Sequence, residues 1–457
     1  MSTDIDVDLV VLGLGPGGEL LATEAARSGL RVVGVDERLV GGECPYFGCV
    51  PSKMVVRAAN ALAEARRVTG LAGGAEVSPD WGVVHARIRD EATDDWDDGV
   101  AVERLERAGV RFVRGHGRLV APGVVEVGGT RYVAARGVVL NTGTSPDAPP
   151  VAGLADTPFW TNRDVLRTAE LPASMVVVGG GAIGAELAQA FARFGTRVSL
   201  VESAPRVLAP EEPEASAVVA RALSADGVQL VTGATIGSVA HADGRFTVAV
   251  TDAEGTALEL SAERLLVAAG RRPNLTDIGL EAVGLDPDAG AVDTDLRMRA
   301  GERLWAIGDI TGKGAYTHMS MYQARIALRD ITGAEGHRAE YHAVPRVTFT
   351  DPEVGSVGLT EEQARDAGID VAVGVAPLEE SARGWIARAE GVVKLVKDRD
   401  ARYLVGATSV GPAGGEVLSL LAAAVHARIP VSTLRGMPFA YPTFHRAVEA
   451  ALEDLRQ

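Results

Sequence analysis

Cys44 and Cys49 are the only two cysteines among 457 residues. They lie five positions apart in the stretch Gly41-Gly42-Glu43-Cys44-Pro45-Tyr46-Phe47-Gly48-Cys49-Val50-Pro51-Ser52-Lys53. A structural disulfide gains most by closing a long loop, because that constrains the unfolded chain more. A close pair in a chain with no other thiol reads instead as a redox couple that opens and closes during turnover. Pro51 suits a first helical turn, where its missing N–H costs nothing. A thiolate near that helix N-terminus is stabilised by the dipole, which lowers its pKa and raises its reactivity. The plainer alternative is two small apolar core residues; the motifs that flank the pair weigh against it.

Two flanking motifs must position such a couple. An apolar strand at 8–11 runs into Gly13-x-Gly15-Pro16-Gly17-Gly18, then a helical stretch to residue 28, then a second strand ending in Asp36. This is the order of a dinucleotide fingerprint. Glycines allow the tight turn and close backbone approach, the helix N-terminus faces pyrophosphate, and the acid takes a ribose hydroxyl. The order repeats: a strand at 175–178, then Gly179-Gly180-Gly181-Ala182-Ile183-Gly184, a helix to 194, and a strand ending in Glu202. Gly179, Gly181, Ile183 and Gly184 form the second turn. Two fingerprints imply two dinucleotides, FAD and NAD(H) or NADP(H). A carboxylate at Glu202 accepts the ribose hydroxyls of NAD and repels a 2′-phosphate. Arg206, four residues on, is placed to hold that phosphate, so NAD(H) is favoured while NADP(H) stays open.

Further strand-to-glycine turns end at Thr142-Gly143 and at Gly270, and Leu304 to Gly308 leads into Asp309, an acid suited to a polar flavin tail. Beyond about residue 340, short strands mix with an Ala-rich helix, which reads as a separate α+β unit. The net charge of −16 argues against nucleic-acid and anionic-membrane partners. The acidic, polar start and the scarcity of cysteine lead to an expected location in the cytoplasm. Asp94-Asp95-Trp96-Asp97-Asp98 reads as a solvated face. No histidine spacing indicates a metal site.

These motifs together resemble the class I pyridine nucleotide-disulfide oxidoreductases, which include dihydrolipoamide dehydrogenase, glutathione reductase and mercuric reductase. The resemblance covers the whole chain: both fingerprints, the Gly-Gly-x-Cys-x4-Cys-x-Pro-Ser-Lys stretch, Glu186, Ala306-Ile307-Gly308-Asp309 and residues 344–353. It implies an α/β fold with two Rossmann-like dinucleotide-binding domains and a C-terminal α+β dimerisation domain. The FAD domain would span 1–150 and 271–340, the NAD(P) domain 151–270, and the dimerisation domain 341–457. Gly13, Gly15, Pro16, Gly17, Gly18, Asp36, Gly42, Lys53, Thr142, Gly143, Gly308, Asp309 and His318 would serve the flavin side. Gly179, Gly181, Ile183, Gly184, Glu202 and Gly270 would serve the nicotinamide side. His318 has an equal reading as a helix N-terminal packing residue.

By the same resemblance, Cys49 would lie against the flavin and Cys44 would face the acceptor. Lys53 would sit near flavin N5, paired with Glu186, and a homodimer would complete the site. The family's C-terminal His-Pro-Thr, with a Glu five residues after the histidine, reads here as Tyr441-Pro442-Thr443 with Arg446. A tyrosine is a poor base at neutral pH but donates a proton or hydrogen bond. His445 is the alternative base, or an ordinary helix histidine. The expected function is therefore an NAD(P)H oxidoreductase passing electrons through flavin and the Cys44–Cys49 pair to a small acceptor, a disulfide, quinone or similar. The alternatives are a flavin-level quinone or dye reductase, a transhydrogenase, or an enzyme like 2-oxopropyl-coenzyme M reductase/carboxylase, where loss of the His–Glu pair excludes a proton.

Overall fold

The computed structural model describes residues 3–455. The chain forms two compact units, one of residues 1–52, 86–147 and 271–341, the other of residues 53–85, 148–270 and 342–457.

The first unit is built on a sheet whose central strands are parallel, in the order Leu304–Ala306, Thr130–Leu140, Thr3–Leu12, Val32–Asp36, Val110–Arg114. Parallel strands covered on both faces read as continuous apolar runs, and Leu9, Val10 and Val11 are each fully buried. The first glycine turn leads into the helix Pro16–Arg27. Gly15 supplies its extended N-cap and Pro16 its first position, where fixed φ suits the helix.

The second unit holds a four-stranded parallel sheet around Ser174–Val178, a three-stranded antiparallel sheet, and a five-stranded antiparallel sheet formed from residues 345–411. All five residues of Ser174–Val178 are buried. The helix Ala182–Phe194 follows, stopped by Gly195 at φ 106°, the left-handed conformation that glycine adopts without strain. Helices Gly414–His426 and His445–Asp454 pack on the antiparallel sheet, where Leu395, Leu418, Leu421, Val448 and Leu452 share one core. Each such side chain contributes roughly 1.5–3 kcal/mol by leaving water.

Arg193, only 2% exposed at its side chain, ties distant parts of this unit together. Its guanidinium donates to Asn60 Oδ1 at 2.7 Å, Asp226 Oδ2 at 2.9 Å and Asp351 Oδ2 at 2.8 Å. Gln189, one turn earlier, exchanges hydrogen bonds with the Asp351 main chain at 2.8 Å in each direction. Among the described residues no helix is long and apolar enough to cross a membrane.

Candidate active site

In the first unit, the helix Cys49–Leu71 begins at the second cysteine, and the first cysteine sits in the short helix Glu43–Tyr46. Both cysteines carry free thiols. Thr317, opening the helix Thr317–Thr332, places its Oγ1 3.3 Å from Cys49 Sγ. The hydrogen bond from Cys49, and then burial, push the Cys44 thiol well above its ordinary pKa, with Thr317 pulling the other way. Glu43, beside it, lies 3.3 Å from Arg271.

The first glycine turn is a cradle that side chains would fill. A Cβ on Gly18 would meet Gly13 O at 2.1 Å, and one on Gly13 would meet Asn141 O at 2.4 Å. Gly42, at φ 68°, comes so near that a Cβ there would lie 2.9 Å from Gly15 Cα. Gly17 and Gly308 approach Ser320 in the same way, at 2.2 and 2.9 Å. This close-packed backbone with Pro16 capping the helix fits a dinucleotide pyrophosphate. Asp36 accepts from Leu14 N at 2.7 Å and Arg38 N at 2.8 Å, and burial raises its pKa against those bonds. Asp309 accepts from Thr144 Oγ1 at 2.8 Å. Thr142 donates its hydroxyl to Asn274 O at 2.7 Å, and Gly143 takes φ 67° at that turn. His318 stacks on Tyr316 with ring centres 5.3 Å apart.

The second unit holds the other candidate residues. Lys53, on the first turn of the helix that Cys49 begins, lies 2.6 Å from Glu186 Oε2, and Glu186 is 4% exposed. Glu186 Oε1 accepts from Phe349 N at 2.8 Å, while the Lys53 ammonium sits 4.8 Å above the Phe349 ring. The nicotinamide-side turn is as tight as the first: a Cβ on Gly184 would lie 1.9 Å from Gly179 O. Gly181 faces open space and Ile183 is 37% exposed, as a surface awaiting a ligand requires. Gly270, three residues beyond the neighbouring strand Arg264–Val267, takes φ 157°. Glu202 accepts from Gly180 N at 2.5 Å and Ala204 N at 2.7 Å. Arg206, an alternative phosphate ligand from sequence, turns into its own loop and donates to Ala209 O and Glu211 O at 2.7 and 2.9 Å.

Gly184→Ala is expected to weaken NADH binding by about tenfold or more while flavin is retained, because main chain must move to admit the methyl. Titrating the flavin-loaded variant with NAD⁺ by calorimetry checks this; unchanged affinity would show that the turn yields freely.

At the C-terminus, Tyr441 is 73% exposed, and Arg446 lies 5.9 Å from its ring centre. Arg446 also pairs with Glu449. The final helix, His445–Asp454, begins at His445. Sequence reasoning missed Thr317, whose only local signal is its place at a helix start after a glycine-rich turn. Asp94, Asp95 and Asp97 are exposed, as a solvated face requires, but the turn they belong to makes contacts that the sequence did not announce. Asp94, Asp95 and Trp96 take φ between 47° and 59°, a left-handed turn that lets Trp96 Nε1 donate to Tyr46 O at 3.1 Å. Asp98 meanwhile accepts from Val40 N at 2.6 Å. That turn walls a hollow of about 390 Å³ bounded by Pro45, Tyr46 and by Glu19, itself paired with Arg104.

Comparison with known proteins agrees with this construction. The family model described as pyridine nucleotide-disulphide oxidoreductase matches residues 7–329, and its dimerisation domain matches residues 344–452. The chain is 32% identical to a dihydrolipoyl dehydrogenase of Halobacterium salinarum, over 98% of this chain and 95% of that protein. It is 30% identical to a mercuric reductase of Bacillus cereus, over 98% of this chain and 71% of that one. Among solved structures, it is similar to the Cu(II) complex of the HOCl-induced flavoprotein disulfide reductase RclA from Escherichia coli. The TM-score there is 0.84 at 26% identity, covering 99% of each chain.

Proposed function

The chain belongs to the pyridine nucleotide-disulphide oxidoreductase family, and on that footing we propose that it serves NADH in preference to NADPH, with Cys44 delivering the electrons to a small acceptor. It is an FAD-dependent enzyme of the mixed α/β fold that this family shares. When bound, FAD and the nicotinamide supply the two-electron chemistry; the residues decide where charge and protons go.

The observation that supports this reading is the setting of Cys49, at the helix N-terminus with Thr317 Oγ1 3.3 Å from its sulfur: a thiolate is stabilised there, which suits Cys49 to the flavin side and leaves Cys44 to be exchanged outward. Lys53 would keep a fixed positive charge beside the flavin, and Glu186, anchored by Phe349 N, would orient it. Glu202 favours a free ribose hydroxyl over a 2′-phosphate, and Arg206 is engaged elsewhere. A homodimer would bring Tyr441 to the partner's thiols. The exposure of Tyr441 and of Trp385, both within the stretch matched by the dimerisation model, supports that arrangement.

Tyr441 also favours a second reading, a flavin-level reductase or transhydrogenase, since Arg446 is paired with Glu449 rather than supporting a base. Anaerobic titration with NADH and, separately, NADPH separates the two. The expected result is a long-wavelength band at two electrons per flavin, reached at lower NADH than NADPH. Bleaching of the flavin with no such band would overturn the proposal and favour the second reading.

A further inference from the structure

Arg206 is held inward by two main-chain oxygens, those of Ala209 and Glu211, and its Nε is a buried donor that finds no acceptor among the described residues. An unmet buried donor marks a conformation kept by its surroundings and not by its own bonds. The surroundings are ionic and come from the antiparallel sheet of the same unit. Arg346, on the strand Pro345–Thr348, grips the Glu211 carboxylate through Nε at 2.7 Å and Nη2 at 3.0 Å. Lys394, on Val392–Asp398, reaches Glu212 Oε2 at 2.9 Å and also Glu214 and Glu361, each at 2.9 Å. Glu212 accepts a further bond from Glu361 N at 2.7 Å. Glu211, Glu212 and Lys394 are 8%, 2% and 3% exposed. One of the two carbonyls that capture Arg206, that of Glu211, therefore belongs to a residue whose side chain is fastened to the sheet, as is its neighbour Glu212.

We propose that Arg346 and Lys394 set the coenzyme choice at a distance: by fixing Glu211 and Glu212 they keep Arg206 withdrawn from the ribose that Glu202 would bind. A phosphate dianion is a stronger partner for a guanidinium fork than two neutral carbonyls. Arg206 would take a 2′-phosphate if its carbonyl acceptors were not held so firmly. Discrimination then has two parts, the repulsive charge of Glu202 and the absence of an attractive Arg206. Arg346 and Lys394 are positioning residues for the second part.

The inference rests on the NADH reading above, and its test separates the two. Calorimetry of the flavin-loaded protein with adenosine 2′,5′-bisphosphate and with 5′-AMP gives affinities without turnover. In Arg346→Gln, the bisphosphate-to-AMP affinity ratio is expected to rise by about tenfold or more, the worth of one charge-assisted hydrogen bond. Glu211→Gln, which keeps its main-chain carbonyl and nearly its volume, is expected to do the same. The two variants change the local charge in opposite directions, so a shared gain cannot come from the general field. Adding Arg206→Met to either should remove the gain, and the NADPH-to-NADH ratio of kcat/KM should follow the binding. An unchanged ratio in a folded variant, or a gain that survives loss of Arg206, overturns the proposal. If one variant does not fold, the other decides. A wild-type preference for NADPH would overturn the NADH reading instead, whatever the variants do.

Discussion

Cys44→Ser is expected to lower acceptor reduction by about 10³-fold or more, while NADH still reduces the flavin in the same protein. Serine nearly matches cysteine in size and shape, so the surrounding geometry should survive. What is lost is the ability to form and break a sulfur–sulfur bond, for which an alcohol is no substitute. Cys49 would then be left as a lone thiol beside Thr317, and the titration end point would fall to the flavin alone. Steady-state rates with a disulfide and with a quinone measure the effect, alongside anaerobic spectra. Undiminished reduction of both acceptors would place the cysteines off the electron path.

A second large effect is expected at the C-terminus. Tyr441→His with Arg446→Glu and Glu449→Gln should raise lipoamide or small-disulfide reductase activity by about 10²–10⁴-fold, the range of a well-placed acid–base group. The third substitution is needed because Arg446 now pairs with Glu449, and a carboxylate at 446 would face a like charge one turn away. Tyr441→His alone should gain less, since the imidazole would lack a carboxylate to orient it. A pH–rate profile with a new limb near neutrality would mark the introduced base. No gain in a folded, dimeric variant would mean that the acceptor pocket, and not proton transfer, excludes these substrates.

Much of this was legible because the chemistry is local. Both glycine turns, the acids ending the strands at Asp36 and Glu202, and the cysteine pair all declare themselves within about 30 residues, the reach of one βαβ unit. The nucleotide-binding strands that the sequence marked came within a few residues of their observed bounds, except Thr3–Leu12 and Thr130–Leu140, which run longer than their apolar stretches. What stayed hidden depends on chain closure. Thr317 is 268 positions from Cys49, and nothing in its neighbourhood announces a thiol partner. Phe349, which supports Glu186 through its amide and Lys53 through its ring, lies in a stretch recognisable only as the start of a domain. The turn at 94–96 stayed hidden for another reason. Aspartate tolerates left-handed backbone moderately well, but three consecutive residues in that region, Trp96 among them, are set by packing that composition does not encode.

Because Arg193 takes its three acceptors from residues 60, 226 and 351, no short contiguous stretch of the gene encodes its full set of partners. A fragment carrying only residues 151–270 would contain the guanidinium and Asp226 but leave Asn60 and Asp351 behind. The same cut would separate Glu211 and Glu212 from Arg346 and Lys394. The nicotinamide-side Rossmann unit is thus not a cassette that recombination can lift out and drop into another protein. Any exchange that keeps it folded must carry the helix from Cys49 and the C-terminal sheet along with it, and lineages of this chain are expected to diverge by substitution in place more readily than by shuffling its parts.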